Sequence, residues 1–383
     1  MKIFSISSFA IFLFLSTLSG ASFAATKCFK VIFVTVCVPI KTVPTKVYAT
    51  GYDEDDIGLP AGSSWQKYAK VWIDGNATSL TNGTYQASGN SIFVDNSNRV
   101  YVAGYEQGGS PLTNSIAKLW IDGNELNLTD GTKSAVAYSV YSDGVHSYVV
   151  GYEMNGSTPE GKVWIDGTAV YSEPNTWLYG VFVSGTDVYY VGTTKPSPTS
   201  DYQGRIWKNG IPLPDAQQPS NSGYSRTTAS SIYVQVKNGV PTVYVAGSTT
   251  QSSTKTQATV WINGVAIYLT PVSKQPNGTI HSGASSIFVK DQDVYVAGYF
   301  YENYVQRAKL WKNGVASTLS AGENDAYATS VFVDAQSNVY VGGVEENVNY
   351  ANMPNTGMIW KNGAVHFSSL PYYRHSISSV FVK

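Results

Sequence analysis

Charge is scarce in this sequence: Asp, Glu, Lys and Arg together make up 13% of 383 residues, and they nearly cancel to a formal net charge of -1. So few cations leave no electrostatic footprint for nucleic acid or an anionic bilayer, which excludes both as expected partners. Histidine is also rare. His146, His281, His366 and His375 are the whole set, and no two are close enough to form a metal-binding pair on one strand or helix. No G-x-S-x-G elbow marks a nucleophile, and nothing implies a cofactor. Beyond the first residues no stretch approaches the roughly 20 apolar residues of a membrane span. Only two cysteines occur, Cys28 and Cys37.

What the chain does have is 28 Tyr, nine Trp and 35 Gly, with many Val, Thr and Ser. That composition favours pleated strands joined by tight turns. At the start, Lys2 precedes an apolar run from Ile3 to Leu18, and Ser22-Phe23-Ala24 supplies the small residues of a signal-peptidase site. The expectation is a signal peptide over residues 1–24, cleaved after Ala24, and a secreted or periplasmic protein. Ala25, Thr26 and Lys27 form no lipobox ahead of Cys28. An oxidising compartment permits a Cys28–Cys37 disulfide, but a straight strand would hold the two about 30 Å apart. Pairing needs a reversal, and no Gly, Pro or Asn lies between them to make one. The alternative is a pair of buried thiols in a β-prone lead-in over residues 25–46.

From Val47 onward the chain repeats. A strand like VYVAG occurs at Val47 to Gly51, Val100 to Gly104, Ser147 to Gly151, Val188 to Gly192, Val243 to Gly247, Val294 to Gly298 and Val339 to Gly343. Trp72, Trp120, Trp164, Trp207, Trp261, Trp311 and Trp360 are each followed two and three residues later by Asp-Gly or Asn-Gly, the dipeptides of type I′ hairpins. A third signal, a short apolar strand after a small residue, starts at Ser91, Ser139, Gly180, Ser231, Ser286, Ser330 and Ser379. The Trp spacing averages about 48 residues, so seven units fill residues 47–383. Each unit reads as strand A (Ser-Ile-Phe-Val), strand B (VYVAG), strand C ending in Trp, and a short strand D. Four antiparallel strands per unit predict an all-β, seven-bladed β-propeller. The repeat begins on a strand B and ends on a strand A, Ser379 to Val382, so the two ends are expected to pair and close the ring.

Units such as Ser286-Ile-Phe-Val, Val294-Tyr-Val-Ala-Gly-Tyr and Ala308-Lys-Leu-Trp-Lys-Asn-Gly314 resemble the repeats of exported bacterial β-propellers that carry VYVAGYE and LWKNG signatures. The resemblance covers residues 47–383 and implies the fold. It carries no catalytic residue, since those proteins are largely uncharacterised.

A Trp at one point of every hairpin is more economically a packing element between blades than a sugar-stacking platform. Lys70, Lys118, Lys162, Arg205 and Lys309 stand two residues before a Trp on the same strand face, where they are expected over or beside the indole. Asp53, Glu54, Asp55 and Asp56 match no complete calcium loop and read as a solvated acidic loop. The A–B and C–D turns are short, so recognition falls to the face formed by the D–A and B–C loops. The D–A loops carry large residues that differ between blades: Tyr85, Trp177, Tyr224, Arg226, His281, Tyr327, Tyr373, Arg374 and His375. They define the candidate binding site of a monomeric, non-catalytic module for a glycan or protein ligand. A propeller enzyme with a lyase- or lactonase-like axial site, and a structural assembly scaffold, are the alternatives.

Overall fold

The computed structural model describes residues 25–31, 34–40, 45–55, 66–108, 113–197, 199–219, 225–252, 255–269, 280–322, 324–346, 355–369 and 374–383. The expected signal peptide lies outside them. No helix among the described residues is long and apolar enough to cross a membrane. Backbone contacts divide the chain into two units, Met1–Thr45 and Lys46–Lys383.

In the first unit, Ala25–Val31 and Val34–Ile40 pair antiparallel with Cys28 directly opposite Cys37. The chain therefore reverses between the cysteines without Gly, Pro or Asn. The second arm is rich in Val, Thr and Ile, and the first adds Thr26, Phe29 and Val31; the preference of these residues for a pleated ladder favours the hairpin despite the missing turn formers.

Among the described residues the second unit is all β apart from a single-turn 3-10 helix at Asp215–Gln217. Its strands form five four-stranded sheets and one eight-stranded sheet. The eight-stranded sheet is two four-strand runs joined by a short parallel pairing, Lys255 with Ile280 and Thr256 with His281. Every run begins on a strand A: Ala87–Val94, Ala135–Ser142, Thr176–Ser184, Arg226–Lys237, Ile280–Lys290, Asp325–Val333 and Arg374–Val382. The last of these pairs antiparallel with Val47–Asp55, Val47 opposite Val382 and Tyr48 opposite Phe381, so both ends of the unit share one sheet.

The Asp-Gly and Asn-Gly dipeptides do two things. Asp74, Asp122, Asp166, Asn209, Asn263, Asn313 and Asn362 sit at φ between 48 and 51°, each followed by Gly at 81 to 84°. That is the type I′ geometry expected. Each Asp or Asn oxygen also accepts the backbone N–H that opens strand B, from Val47, Val100, Ser147, Val188, Val243, Val294 and Val339, at 2.8 to 2.9 Å. One residue type thus makes the turn and caps the neighbouring strand.

The seven repeated Trp are at most 4% exposed. Each lies in an apolar cluster between two successive four-strand runs: Trp120, for example, packs with Tyr48, Ala69 and Val71 on one side and Ile92, Val94 and Val102 on the other. Trp72 lies in the cluster joining Tyr340 and Ile359 to Val47, Ile377 and Val382. The inner strands are tied as well. Ser91 accepts the Val140 N–H, Ser139 that of Val181, Ser231 that of Ile287, Ser286 that of Val331, and Ser330 that of Val380, at 3.1 to 3.3 Å. These serines, expected to open strand A, lie inside it because the strand begins further upstream, and each links two sheets through its hydroxyl. Further along the same strands, Phe93, Tyr141, Phe182, Tyr233, Phe288, Phe332 and Phe381 touch in an unbroken cycle, with ring centroids 4.5 to 5.3 Å apart.

Candidate binding site

Each strand A carries a register shift at the same point, skipping one residue: Asn90, Tyr138, Tyr179, Ser230, Ser285, Thr329 and Ser378. A bulge bends its strand and re-aims the extra residue. It also accounts for the Gly that ends every VYVAG-type strand. A Cβ on Gly104 would meet the Ser88 carbonyl oxygen at 2.0 Å, and the other six repeat glycines meet the matching carbonyl at 1.7 to 2.4 Å. Only Gly lets the bulged backbone approach this closely.

Five bulge residues, Asn90, Tyr138, Tyr179, Ser230 and Ser285, line one cavity of about 470 Å³ together with Thr228. Its opening has a cause in the next cross-strand pair. Four of these pairs put a small or aliphatic residue on strand A opposite a Tyr on strand B: Ser88 with Tyr105, Val136 with Tyr152, Gly283 with Tyr299, and Ser376 with Tyr52. Two reverse the order, Trp177 with Thr193 and Tyr327 with Val344. The seventh has no ring on either strand: Thr228 faces Ser248, their hydroxyls 2.7 Å apart. The missing ring leaves space beside the bulge residues, and hydroxyls line it.

Tyr138 contacts the rings of Tyr152 and Tyr179 at 5.9 and 5.2 Å. Burial, with smaller contributions from neighbouring Tyr152 and Tyr202, pushes the Tyr179 hydroxyl up to about 12, and burial raises Tyr138 as well. Both stay neutral at physiological pH and offer an O–H donor and an acceptor. The cavity can hydrogen-bond a polar ligand and pack an apolar face against tyrosine.

The residues expected from the D–A loops divide into groups. Trp177, Arg226, His281, Tyr327, Arg374 and His375 stand at the starts of strand A rather than in loops. Trp177 and Arg226 converge on Tyr202, with the ring centroids of Trp177 and Tyr202 5.8 Å apart and the guanidinium 4.7 Å from the Tyr202 centroid. His281 lies apart from them against Tyr299 and Tyr301, and Tyr85 is exposed in its loop. Tyr327 is half-buried, its hydroxyl raised by burial and the Glu346 charge. Tyr224 and Tyr373 lie outside the described residues. Asn90, Tyr138 and Tyr179, which sequence reasoning missed, sit one residue before the small residue repeated in each strand A. Aligning the repeats on that residue would have shown how widely this position varies.

Two expectations need correction. Asp53 and Glu54 do not belong to a solvated loop, for they are 7% and 4% exposed, on strand Val47–Asp55. Asp53 lies 3.0 Å from His375 Nδ1 and 2.7 Å from Lys70 Nζ, and Glu54 pairs with Lys67 and Arg374. The pairing of the two chain ends supplies partners that a sequence cannot place. Asp56 lies outside the described residues. The cations two residues before Trp also take carboxylates rather than indoles: Lys118 reaches Glu106 at 3.0 Å and Glu125 at 2.8 Å, and Lys309 reaches Glu302 at 2.7 Å. Each indole is turned into the inter-sheet core, while the repeat Gly opposite each of these cations leaves its long side chain free to cross to the acid.

No family model matches the chain, and no curated protein matches it. Among solved structures it is similar to the Pyrococcus horikoshii acylaminoacyl peptidase, at 10% identity and a TM-score of 0.47 over 83% of this chain; it spans 50% of that chain's length. A Lactobacillus plantarum protein aligns at 13% identity and a TM-score of 0.38 over 88% of this chain and 99% of its own. A Bombyx mori GH32 β-fructofuranosidase aligns at 9% identity and a TM-score of 0.31, over 88% of this chain and 87% of its own. At these scores none bears on activity.

Proposed function

We propose that this chain is an exported, non-catalytic recognition module on a closed seven-bladed propeller, and that its axial cavity binds a neutral polar ligand, a glycan in the first instance. The observation that carries the reading is the cavity lining: four hydroxyl side chains at Tyr138, Tyr179, Ser230 and Ser285, a fifth at Thr228, and the Asn90 amide. Sugars present the complementary pattern of hydroxyls around an apolar ring face. Closure is supported by the pairing of Val47–Asp55 with Arg374–Val382 and by the unbroken cycle of aromatic contacts. Export rests on the features of residues 1–24. The register of Cys28 with Cys37 puts two Cα atoms directly opposite, at a cross-strand separation of about 4.5 to 5.5 Å that a disulfide can bridge.

The test is a neutral glycan array followed by calorimetry on the parent and on Tyr138→Phe and Asn90→Ser. Losing one hydrogen bond to the ligand should weaken binding by about fivefold to tenfold per variant, with thermal stability unchanged in Tyr138→Phe and somewhat lowered in Asn90→Ser, which also gives up the 2.9 Å bond from the Asn90 amide to the Ala137 carbonyl. Folded variants that bind as tightly as the parent would move the site away from the axis.

A further inference from the structure

A second cleft, of about 350 Å³, lies beside the outer end of strand Thr176–Ser184 and is lined by Trp177, Tyr202, Lys195, Asn175, Ser197 and the Ser157-Thr158-Pro159 segment. Its floor is aromatic: Trp177 and Tyr202 meet at 5.8 Å with their planes 50° apart. Trp177 is free for this because it belongs to none of the seven repeated Trp positions and is only half-buried. It occupies the place where four other strands A carry Ser88, Val136, Gly283 and Ser376. With Thr193 opposite, the ring has moved from strand B to strand A.

The charge at this cleft is of one sign. Lys195 lines the cleft, with Nζ 5.6 Å from the Tyr202 centroid, and Arg226, which is not one of the lining residues, reaches the same ring from beside the cleft with its guanidinium 4.7 Å from the centroid. Among the described residues neither is within ion-pair distance of a carboxylate, whereas Lys70, Lys118, Lys162, Arg205 and Lys309 all are. No acid lines the cleft; its remaining polar groups are three hydroxyls, from Ser157, Thr158 and Ser197, and the Asn175 amide. Two uncompensated cations beside aromatic faces attract an anion and leave room for a flat apolar surface against the rings.

We propose that the Trp177–Tyr202 cleft binds a saccharide bearing an anionic substituent, with the sugar ring on the aromatic pair and its carboxylate or sulfate on Lys195 and Arg226. The proposal rests on the reading of the chain as a glycan-binding module but uses a different site from the axial cavity. Carboxylate and sulfate share the chemistry that recognises them, a planar or tetrahedral oxyanion accepting charge-assisted hydrogen bonds from ammonium and guanidinium.

The experiment titrates the mature chain with an oligogalacturonate, a sulfated heparin-type oligosaccharide, a maltooligosaccharide of equal length and polyglutamate. It does so for the parent, Lys195→Gln, Arg226→Gln, Trp177→Ala and the remote control Lys312→Gln. The parent should bind at least one acidic saccharide about tenfold more tightly than the neutral one, with affinity falling as salt rises. Lys195→Gln and Arg226→Gln should each lose about tenfold for that ligand, Trp177→Ala more, and Lys312→Gln nothing. Binding of the uronate alone or of the sulfate alone supports the proposal and identifies the anion. Polyglutamate binding as tightly overturns it, because charge without a sugar then suffices. Equal binding of neutral and acidic saccharides overturns it too, as does an Arg226→Gln variant as tight as the parent. Neutral binding that responds to Tyr138→Phe but not to Trp177→Ala would leave the axial site standing while this cleft falls, and binding of no saccharide would remove both.

Discussion

The ring of Phe381 lies 5.0 Å from that of Phe93 at an interplanar angle of 61°, an edge-to-face contact between the last strand of the chain and the first complete strand A. Phe381 also meets Phe332 at 4.6 Å, so one side chain bridges its two neighbours in the aromatic cycle. Phe381→Ala should remove both contacts at once. Full burial of a Phe is worth about 3 to 5 kcal/mol on truncation, and Phe381 is half-buried, so about 2 kcal/mol is expected. Deleting Ser376 to Lys383 should cost far more, since it also strips a strand from the sheet that holds both ends. Urea unfolding of the two variants checks this, and a deletion that unfolds at the parent's midpoint would show that the end strand is dispensable.

Trp311 is 1% exposed in the cluster between Ala246, Val260 and Leu269 on one side and Ile287 and Val296 on the other. Trp311→Ala should destabilise by about 3 to 5 kcal/mol. Whatever fraction remains folded should bind saccharide normally. A stable Trp311→Ala variant with lost binding would restore the repeated Trp as a sugar platform.

Asn313 combines φ of 51° with a 2.8 Å hydrogen bond from the Val294 N–H. Asn313→Ala should lose both the tolerance of left-handed backbone, about 1 kcal/mol, and the bond, about another. Asn313→Asp should keep the turn geometry that Asp74, Asp122 and Asp166 hold with an acid, but it gives up the 2.7 Å bond that the Asn313 amide donates to Asp293 Oδ1 and sets two carboxylates together, so it should fall between the parent and Asn313→Ala. Comparing the two by thermal unfolding separates turn chemistry from simple polarity, and equal losses would rule out the double role.

Burial acts to raise the Asp53 carboxyl, but hydrogen bonds from His375 and Lys70 outweigh it and hold the group below the usual carboxylate range. A pKa depressed in the folded state adds stability above the unfolded carboxyl's value of about 3.9, and that stability is lost as pH falls through the lower folded value. The parent should therefore lose stability steadily below about pH 4. Asp53→Asn should be less stable at neutral pH and show a shallower acid limb. Parallel acid limbs in urea midpoints against pH would place the pH dependence elsewhere.

The repeat, the four strands of each unit, the buried Trp and the I′ turns were legible because each depends on local chemistry: alternation, ring size, and the few residues that accept positive φ. The pairing of Ser379 to Val382 with the first strand was legible too, from two half-units that complete each other. The candidate site was legible only in part. Trp177 and Arg226 were identified as outliers from the repeat, but their meeting over Tyr202 depends on two strands of different sheets and the loop residue just ahead of strand Gln203–Lys208. Arg374 and His375 were legible as outliers, but their ion pairs with Glu54 and Asp53 were not, because the pairing of the end strands brings those carboxylates beside them. The VYVAG glycine was visible seven times, yet its reason is the carbonyl that a bulge on another strand pushes into the space of a Cβ. The cavity lined by the bulge residues likewise comes from Thr228 facing Ser248, a pair whose members are distant in the chain and whose missing ring matters only once the other strand pairs surround it. Local preference determined which strands form; which side chains share a space was decided by register and packing between strands, and those are properties of the assembled sheets.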